Sequence, residues 1–199
     1  GANAVAESGD TLSIFKGVVD RAERMEMVAT FVQQIVTIAE RHKDTRTLLI
    51  RTLARFCCVP DYHMSDLCLA ALGSMAKNED TMNDVLEVVE EVILPPLSDM
   101  QLEDKRCGNI IIGLSNFNCD MLAGKLKNVL PQLCEFTVAN RTHLERNGGG
   151  PDVLMLQIAL SKLMLTLVQD PTNANMLLND HKDIISAMTK DVMSKDHFL

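Results

Sequence analysis

Tryptophan is absent from this chain, tyrosine occurs once as Tyr62, and aromatic residues make up only 4% of the sequence. A β-sandwich or barrel is written in alternating β-branched and aromatic residues bounded by turn clusters. Segments of that kind are lacking, so a β-rich fold is excluded. Long apolar runs are lacking too. None approaches the roughly 20 residues a helix needs to cross a bilayer, and no leader or spanning segment is visible.

Positive charge is in deficit: 19 Lys and Arg stand against 27 Asp and Glu, a formal net charge of −8. Nucleic-acid binders draw most of their affinity from cations that neutralise phosphates, so no nucleic-acid partner is expected. The same balance disfavours an anionic membrane surface. A basic partner is favoured instead, mainly through its association rate.

The six cysteines, Cys57, Cys58, Cys68, Cys107, Cys119 and Cys134, lack the short regular spacing of a disulfide framework. Within apolar stretches, reduced thiols behave as small hydrophobes. This usage fits a reducing compartment, cytoplasmic or nuclear. Asn140-Arg141-Thr142 matches the glycosylation sequon, a short pattern at odds with that compartment.

Motifs of catalysis and metal binding are missing as well. His42, His63, His143, His181 and His197 fall in different breaks and form no H-E-x-x-H. Cys57, Cys58, His63 and Cys68 cluster locally, but a zinc site needs converging ligands, and Cys68 lies inside an apolar helical run. No G-x-S-x-G is present. Glu87, Glu90 and Glu91 read as a solvated helix face. Gly148-Gly149-Gly150 lacks the Lys-Ser/Thr of a phosphate loop and reads as a connector. Neither an enzyme nor a cofactor is expected.

What is present is Leu, Val, Ile, Ala and 12 Met, the apolar set of helices. Helical periodicity predicts segments over Thr11–Asp20, Met25–Arg41, Thr45–Cys58, Asp66–Lys77 with Ser65 as its cap, and Met82–Leu94 begun by Thr81 and stopped by Pro95-Pro96. It continues over Lys105–Phe117 opened by Asp104, a short piece from Asp120 or Met121, and Gln132–Ala139 with Pro131 in its first turn. After the Asn147–Pro151 loop come Val153–Val168 capped by Asp152, then Ala174–Leu178 and Lys182–Met193. The breaks are short, so consecutive helices should be spatial neighbours.

Three segments align on a small-Leu-x-polar-apolar pattern: Ala71–Met75, Gly113–Phe117 and Ala159–Leu163. Gln34–Ile38 is a weaker copy. The polar positions Thr37, Ser74, Asn116 and Lys162 are 37, 42 and 46 residues apart, and the last interval contains the glycine loop. A period near 40 built from two or three helices is the mark of armadillo and HEAT arrays. On this register Leu72, Leu114 and Leu160 are equivalent core positions.

The stretches AALGSMAKN, IIGLSNFNC and IALSKLMLT resemble the third helix of armadillo repeats. The chain is similar over nearly its whole length to the armadillo (ARM)/HEAT-like helical repeat family. That resemblance implies an all-α, right-handed α-solenoid of armadillo-like repeats. It would form one domain over 1–199, with approximate units 11–41, 45–77, 81–118, 120–168 and 171–195. The chain ends within a helical pattern and reads as a piece of a longer protein. Tetratricopeptide repeats are disfavoured, because their Trp, Tyr and Gly positions are missing.

In armadillo proteins the equivalent asparagines line a groove and grip an extended peptide. An asparagine amide can donate to and accept from any peptide unit. Asn116 matches that residue, while Thr37, Ser74 and Lys162 depart from it, and Asn109 lies seven residues before Asn116 on the same helix face. These five are the candidate groove. The expected function is a non-enzymatic scaffold or adaptor for a peptide or partner domain. The alternative is an assembly module that self-associates or extends a longer array.

Overall fold

The computed structural model describes residues 2–186, which are 85% helical and contain no strand. The elements are α1 (Ala2–Arg41), α2 (Lys43–Cys57), α3 (Tyr62–Met75) and α4 (Glu79–Val88). A π turn (Val89–Ile93) leads into α5 (Leu94–Asp99), followed by α6 (Lys105–Ser115) and α7 (Leu122–Lys125). A 3₁₀ turn (Leu126–Val129) joins α8 (Leu130–Asn147), and α9 (Pro151–Leu167) and α10 (Pro171–Asp180) complete the set. Residues 182–186 are helical. The rest of the expected Lys182–Met193 helix, the end of the 171–195 unit and His197 lie outside the described residues.

The helices form two rows. In one, α1 packs on α3, α3 on α6, and α6 on α9. In the other, α2 lies across α1 and α3, α4 and the π turn lie beside α2, and α5 meets the 3₁₀ turn ahead of α8, which packs on α9. One continuous apolar core runs between them. Leu72, Leu114 and Leu160 are all buried in it, as is Ile35, their counterpart in α1. Fully burying one such side chain contributes about 1.5–3 kcal/mol.

Several expected boundaries are corrected. The break before Met25 does not exist, because α1 runs unbroken from Ala2 to Arg41. The polar stretch Arg21-Ala22-Glu23-Arg24 is made of good helix formers, so polarity alone does not stop it. The second segment begins at Lys43, ahead of the expected Thr45; His42 is its N-cap and supplies no side-chain bond. Ser65 does not cap α3. Asp61 does, accepting from the Met64 N–H at 2.8 Å. Thr81 does not open α4 either, since the cap is Asn78, accepting from the Asp80 N–H at 3.0 Å. The α8 helix continues past Ala139 to Asn147, and Gly150 rather than Asp152 precedes α9.

Pro95-Pro96 does not end a helix. The π turn comes just before it, and the Leu94 N–H reaches back five residues to the Val89 carbonyl. Widening the ladder there clears room for rings that would clash with a carbonyl four residues back in α-register. The glycine loop is a true break: Gly148 takes φ 67° as the C-cap of α8 and Gly149 takes φ 46°. A Cβ on Gly149 would also strike Leu144 at 2.2 Å.

Candidate functional site

The two faces of the α3–α6 contact can be read from glycines. A Cβ added at Gly113 of α6 would lie 2.3 Å from Leu69 of α3, and one at Gly73 of α3 would lie 3.2 Å from Phe117. Leu69 and Gly73 therefore mark the face α3 turns toward the next helix in its row. Gly113 and Phe117 mark the face α6 turns back. Close approach through small residues fixes how each helix sits on its neighbour, and so fixes which side chains point outward.

The candidate residues fall on that outward side. Ser74, Asn116 and Lys162 are exposed and Thr37 is half-buried. They occupy one register position on four helices packed in series, α1, α3, α6 and α9. Thr37 is partly occupied: its Oγ1 donates to the Gln33 carbonyl at 2.9 Å. Asn116 is the C-cap of α6, its N–H directed to the Gly113 carbonyl at 3.1 Å. Asn109 is half-buried, and its Nδ2 is closed off from solvent without a hydrogen-bond partner. A shielded amide donor without an acceptor carries a desolvation cost of about 1–3 kcal/mol.

Asp104, the N-cap of α6, accepts from the Arg106 N–H at 2.9 Å and from its guanidinium at 2.6–3.1 Å. The side-chain bond from Arg106 is the main reason its carboxyl titrates below the ordinary range. Elsewhere Lys125 pairs with Glu90 at 2.5 Å, and Arg51 pairs with Glu91. Two of the acids read as a solvated face thus hold neighbouring segments together.

The cysteine–histidine cluster does not converge. Cys57 and Cys68 are buried and Cys58 half-buried, whereas His63 is exposed with its ring 5.8 Å from that of Tyr62. Burial pushes the Cys57 thiol well above its ordinary value, with Cys68 and Cys58 nearby adding to the shift. Burial raises Cys68 to about 11 and, as the main cause, Cys107 and Cys134 to about 12. At neutral pH these are thiols, not the thiolates that bind metals or attack carbon. Among the described residues no group of three or more His, Cys, Asp or Glu is placed to hold a metal.

Asn140 of the sequon is buried in α8. Its Nδ2 donates to the Val153 carbonyl at 3.1 Å and Gln157 Oε1 at 2.9 Å, tying α8 to α9. A sugar cannot reach that nitrogen in the folded chain. Among the described residues no single helix is long and apolar enough to cross a membrane; α9 and α10 pass only as a pair bent by 117°.

Sequence reasoning missed a set of buried polar residues at the helix corners. Arg46 donates from Nε to the Ala39 carbonyl at 2.8 Å and from Nη2 to the Glu40 carbonyl at 3.0 Å. Ser65 donates to the Cys57 carbonyl at 2.7 Å, and Thr81 to the Met75 carbonyl at 2.6 Å. Asn173 donates to the Leu167 carbonyl at 3.2 Å and to the Ala123 carbonyl at 2.8 Å. Each brings a side-chain donor to carbonyls at or near a helix end; those of Met75 and Leu167 also accept from the Asn78 and Asp170 N–H groups. For Ser65, Thr81 and Asn173 the available signal was a polar residue three or four positions after a capping Asp or Asn; Arg46 follows His42 and carries no such signal.

No family model, curated protein or solved structure matches the chain.

Proposed function

We propose that this chain is a protein-interaction scaffold, not an enzyme, built as a right-handed α-solenoid of armadillo-like repeats. The observation that carries this reading is the placement of Thr37, Ser74, Asn116 and Lys162 at one register position of four helices packed in series. Side chains so arranged form a ladder across the row, and a ladder of donors and acceptors suits an extended peptide or the surface of a partner domain. Asn109, seven residues before Asn116, is half-buried with its Nδ2 closed off from solvent and adds no open donor to this ladder. The net charge of −8 favours a basic partner.

Affinity capture with the wild-type chain beside the Ser74→Ala/Asn116→Ala double variant tests this, with partners identified by mass spectrometry. Both side chains are exposed, so the variant should stay folded while its captured partners fall away. A folded double variant that retains every partner with unchanged affinity rejects this face.

A second reading, that the chain is an assembly module, is favoured by a separate observation. The two end helices of the row expose large apolar side chains, among them Met27, Phe31 and Ile38 on α1 and Leu154, Ile158 and Leu165 on α9.

A further inference from the structure

Positive charge, scarce in the chain as a whole, collects beside a cleft of about 580 Å³ at the corner between α2 and α3. The length of α1 makes the cleft. The helices α3, α6 and α9 begin at Tyr62, Lys105 and Pro151, shortly before the buried Leu72, Leu114 and Leu160. By contrast, α1 already runs unbroken through Arg21 and Arg24, far ahead of the equivalent Ile35. It therefore carries on past the corner where α2 gives way to α3, and side chains from all three helices line the space between them.

The floor is apolar. Met25 and Val28 come from α1, Phe56 and Val59 from the end of α2 and the turn after it, and Met64 and Leu67 from α3. Val28, Phe56, Met64 and Leu67 rest on the core. The Phe56 ring stands edge-on to that of Phe31, with centroids 6.4 Å apart, so the floor is held from below. The rim is polar, and its charges do not balance. Arg21 and Arg24, three residues apart and so on one side of α1, share it with His63 and Asp61. Asp61 is engaged as the N-cap of α3, accepting from the Met64 N–H at 2.8 Å. Among the described residues neither arginine has an acidic partner; Arg24 Nε donates to the Asp20 carbonyl at 3.2 Å. Two guanidinium groups thus stand against one carboxylate, in a chain whose net charge is −8.

A guanidinium carries five N–H donors and no acceptor. A ligand for this rim must bring acceptors and negative charge, and for this floor an apolar body. The volume falls within the range of small-molecule sites, about 300–1,000 Å³. An extended peptide suits it poorly. Its backbone N–H groups need acceptors, for which the lining side chains offer Asp61, already a cap, and exposed His63 alone. We propose that the cleft binds a small amphiphilic carboxylate, an alkyl chain ending in an ionised carboxyl group. The chain lies on Met25, Val28, Phe56 and Met64, and the carboxylate pairs with Arg21 and Arg24, whose planar forks match its two oxygens. This site goes beyond the scaffold reading: none of Thr37, Ser74, Asn116 or Lys162 lines it.

Titration of the full chain, labelled at its methionine methyl groups and followed by NMR, tests this with decanoate, decanol and decyltrimethylammonium as probes. Decanoate should bind one per chain with a Kd below about 1 mM and shift the Met25 and Met64 signals, while Met27, which does not line the cleft, stays in place. Decanol should bind roughly tenfold more weakly, the worth of one charge-assisted hydrogen bond, and the cationic probe not at all. Arg21→Gln/Arg24→Gln replaces two exposed side chains and should abolish the advantage of decanoate over decanol without changing decanol binding. Met64→Gln should weaken both. Circular dichroism checks that each variant keeps wild-type helicity.

Four results overturn the proposal: no shift of Met25 or Met64 with decanoate up to about 1 mM, equal affinity for decanoate and decanol, unchanged decanoate affinity in the folded arginine variant, or shifts centred on other methionines. A synthetic amphipathic peptide of Leu and Glu is titrated in parallel. Were it to shift Met25 and Met64 where decanoate does not, the cleft would belong to an acidic partner segment and the small-molecule site would be rejected. Ser74→Ala/Asn116→Ala should bind decanoate as the wild type does, so this site and the scaffold reading stand or fall separately.

Discussion

Thr81 Oγ1 lies 2.6 Å from the carbonyl oxygen of Met75, six residues earlier and across the corner between α3 and α4. Asn173 makes the same connection to Leu167 across the corner between α9 and α10, again over six residues. Each follows its cap, Asn78 or Asp170, by three residues. One local device thus turns the chain twice, by giving a helix-end carbonyl a donor from the next helix.

Thr81 is wholly buried, so removing its hydroxyl leaves the Met75 carbonyl with only the Asn78 N–H, at 3.2 Å. Thr81→Val keeps the side-chain shape and should cost about 0.5–1.5 kcal/mol, the net worth of one hydrogen bond. Thr81→Ser should recover most of that. Urea midpoints of the three proteins decide it; a Val variant as stable as wild type would remove the corner bond from the account.

Gly113 and Gly108 lie on the same helix and should respond in opposite directions. A Cβ at Gly113 would overlap Leu69 at 2.3 Å, whereas nothing stands within 4 Å of one at Gly108. Gly113→Ala should destabilise by about 1–3 kcal/mol through overpacking. Gly108→Ala should stabilise by about 0.5–1 kcal/mol through helix propensity. Thermal unfolding of the pair, measured together, separates packing from propensity.

What could be read ahead of the coordinates was periodic. The all-α class, the Asp104 cap, the Pro131 first turn and the glycine loop each rest on a local rule that the chain obeys. What could not be read depends on partners far along the chain. Ser65 and Thr81 look like caps because Ser and Thr favour that role. Here Asp61 and Asn78 hold it, and the hydroxyls turn inward to carbonyls six and eight residues back. Pro95-Pro96 looks like a stop unless the π turn ahead of it is known. Among the candidate groove residues, exposure follows from helix register, but the unmatched Asn109 amide does not, since it depends on what packs around it.

Leu72, Leu114 and Leu160 are buried in three helices packed one on the next. Truncating any one to Ala should leave a cavity and cost about 2–5 kcal/mol. Because α3 and α6 each have a row neighbour on both sides and α9 has one among the described residues, Leu72→Ala and Leu114→Ala should be more damaging than Leu160→Ala. Chemical denaturation checks both magnitude and order. A Leu114→Ala protein that melts with wild type would break the register.

Buried thiols make stability fall at high pH. Cys68 rises from 9.0 to about 11, and Cys107 and Cys134 from 9.0 to about 12, chiefly through desolvation. Below pH 9 these thiols are protonated in folded and unfolded chains alike, and their contribution is constant. Between 9 and the folded values the unfolded chain has released protons that the folded chain still holds. Unfolding is therefore favoured progressively as pH rises through that window. The urea midpoint should decline above pH 9, and Cys107→Ala should flatten the decline. Reactivity gives a second readout: at pH 8 half-buried Cys58 should react first with a disulfide reagent, and buried Cys57, Cys68, Cys107 and Cys134 only as the chain opens. Rapid modification of these four in the native protein would contradict the burial that holds their thiols protonated.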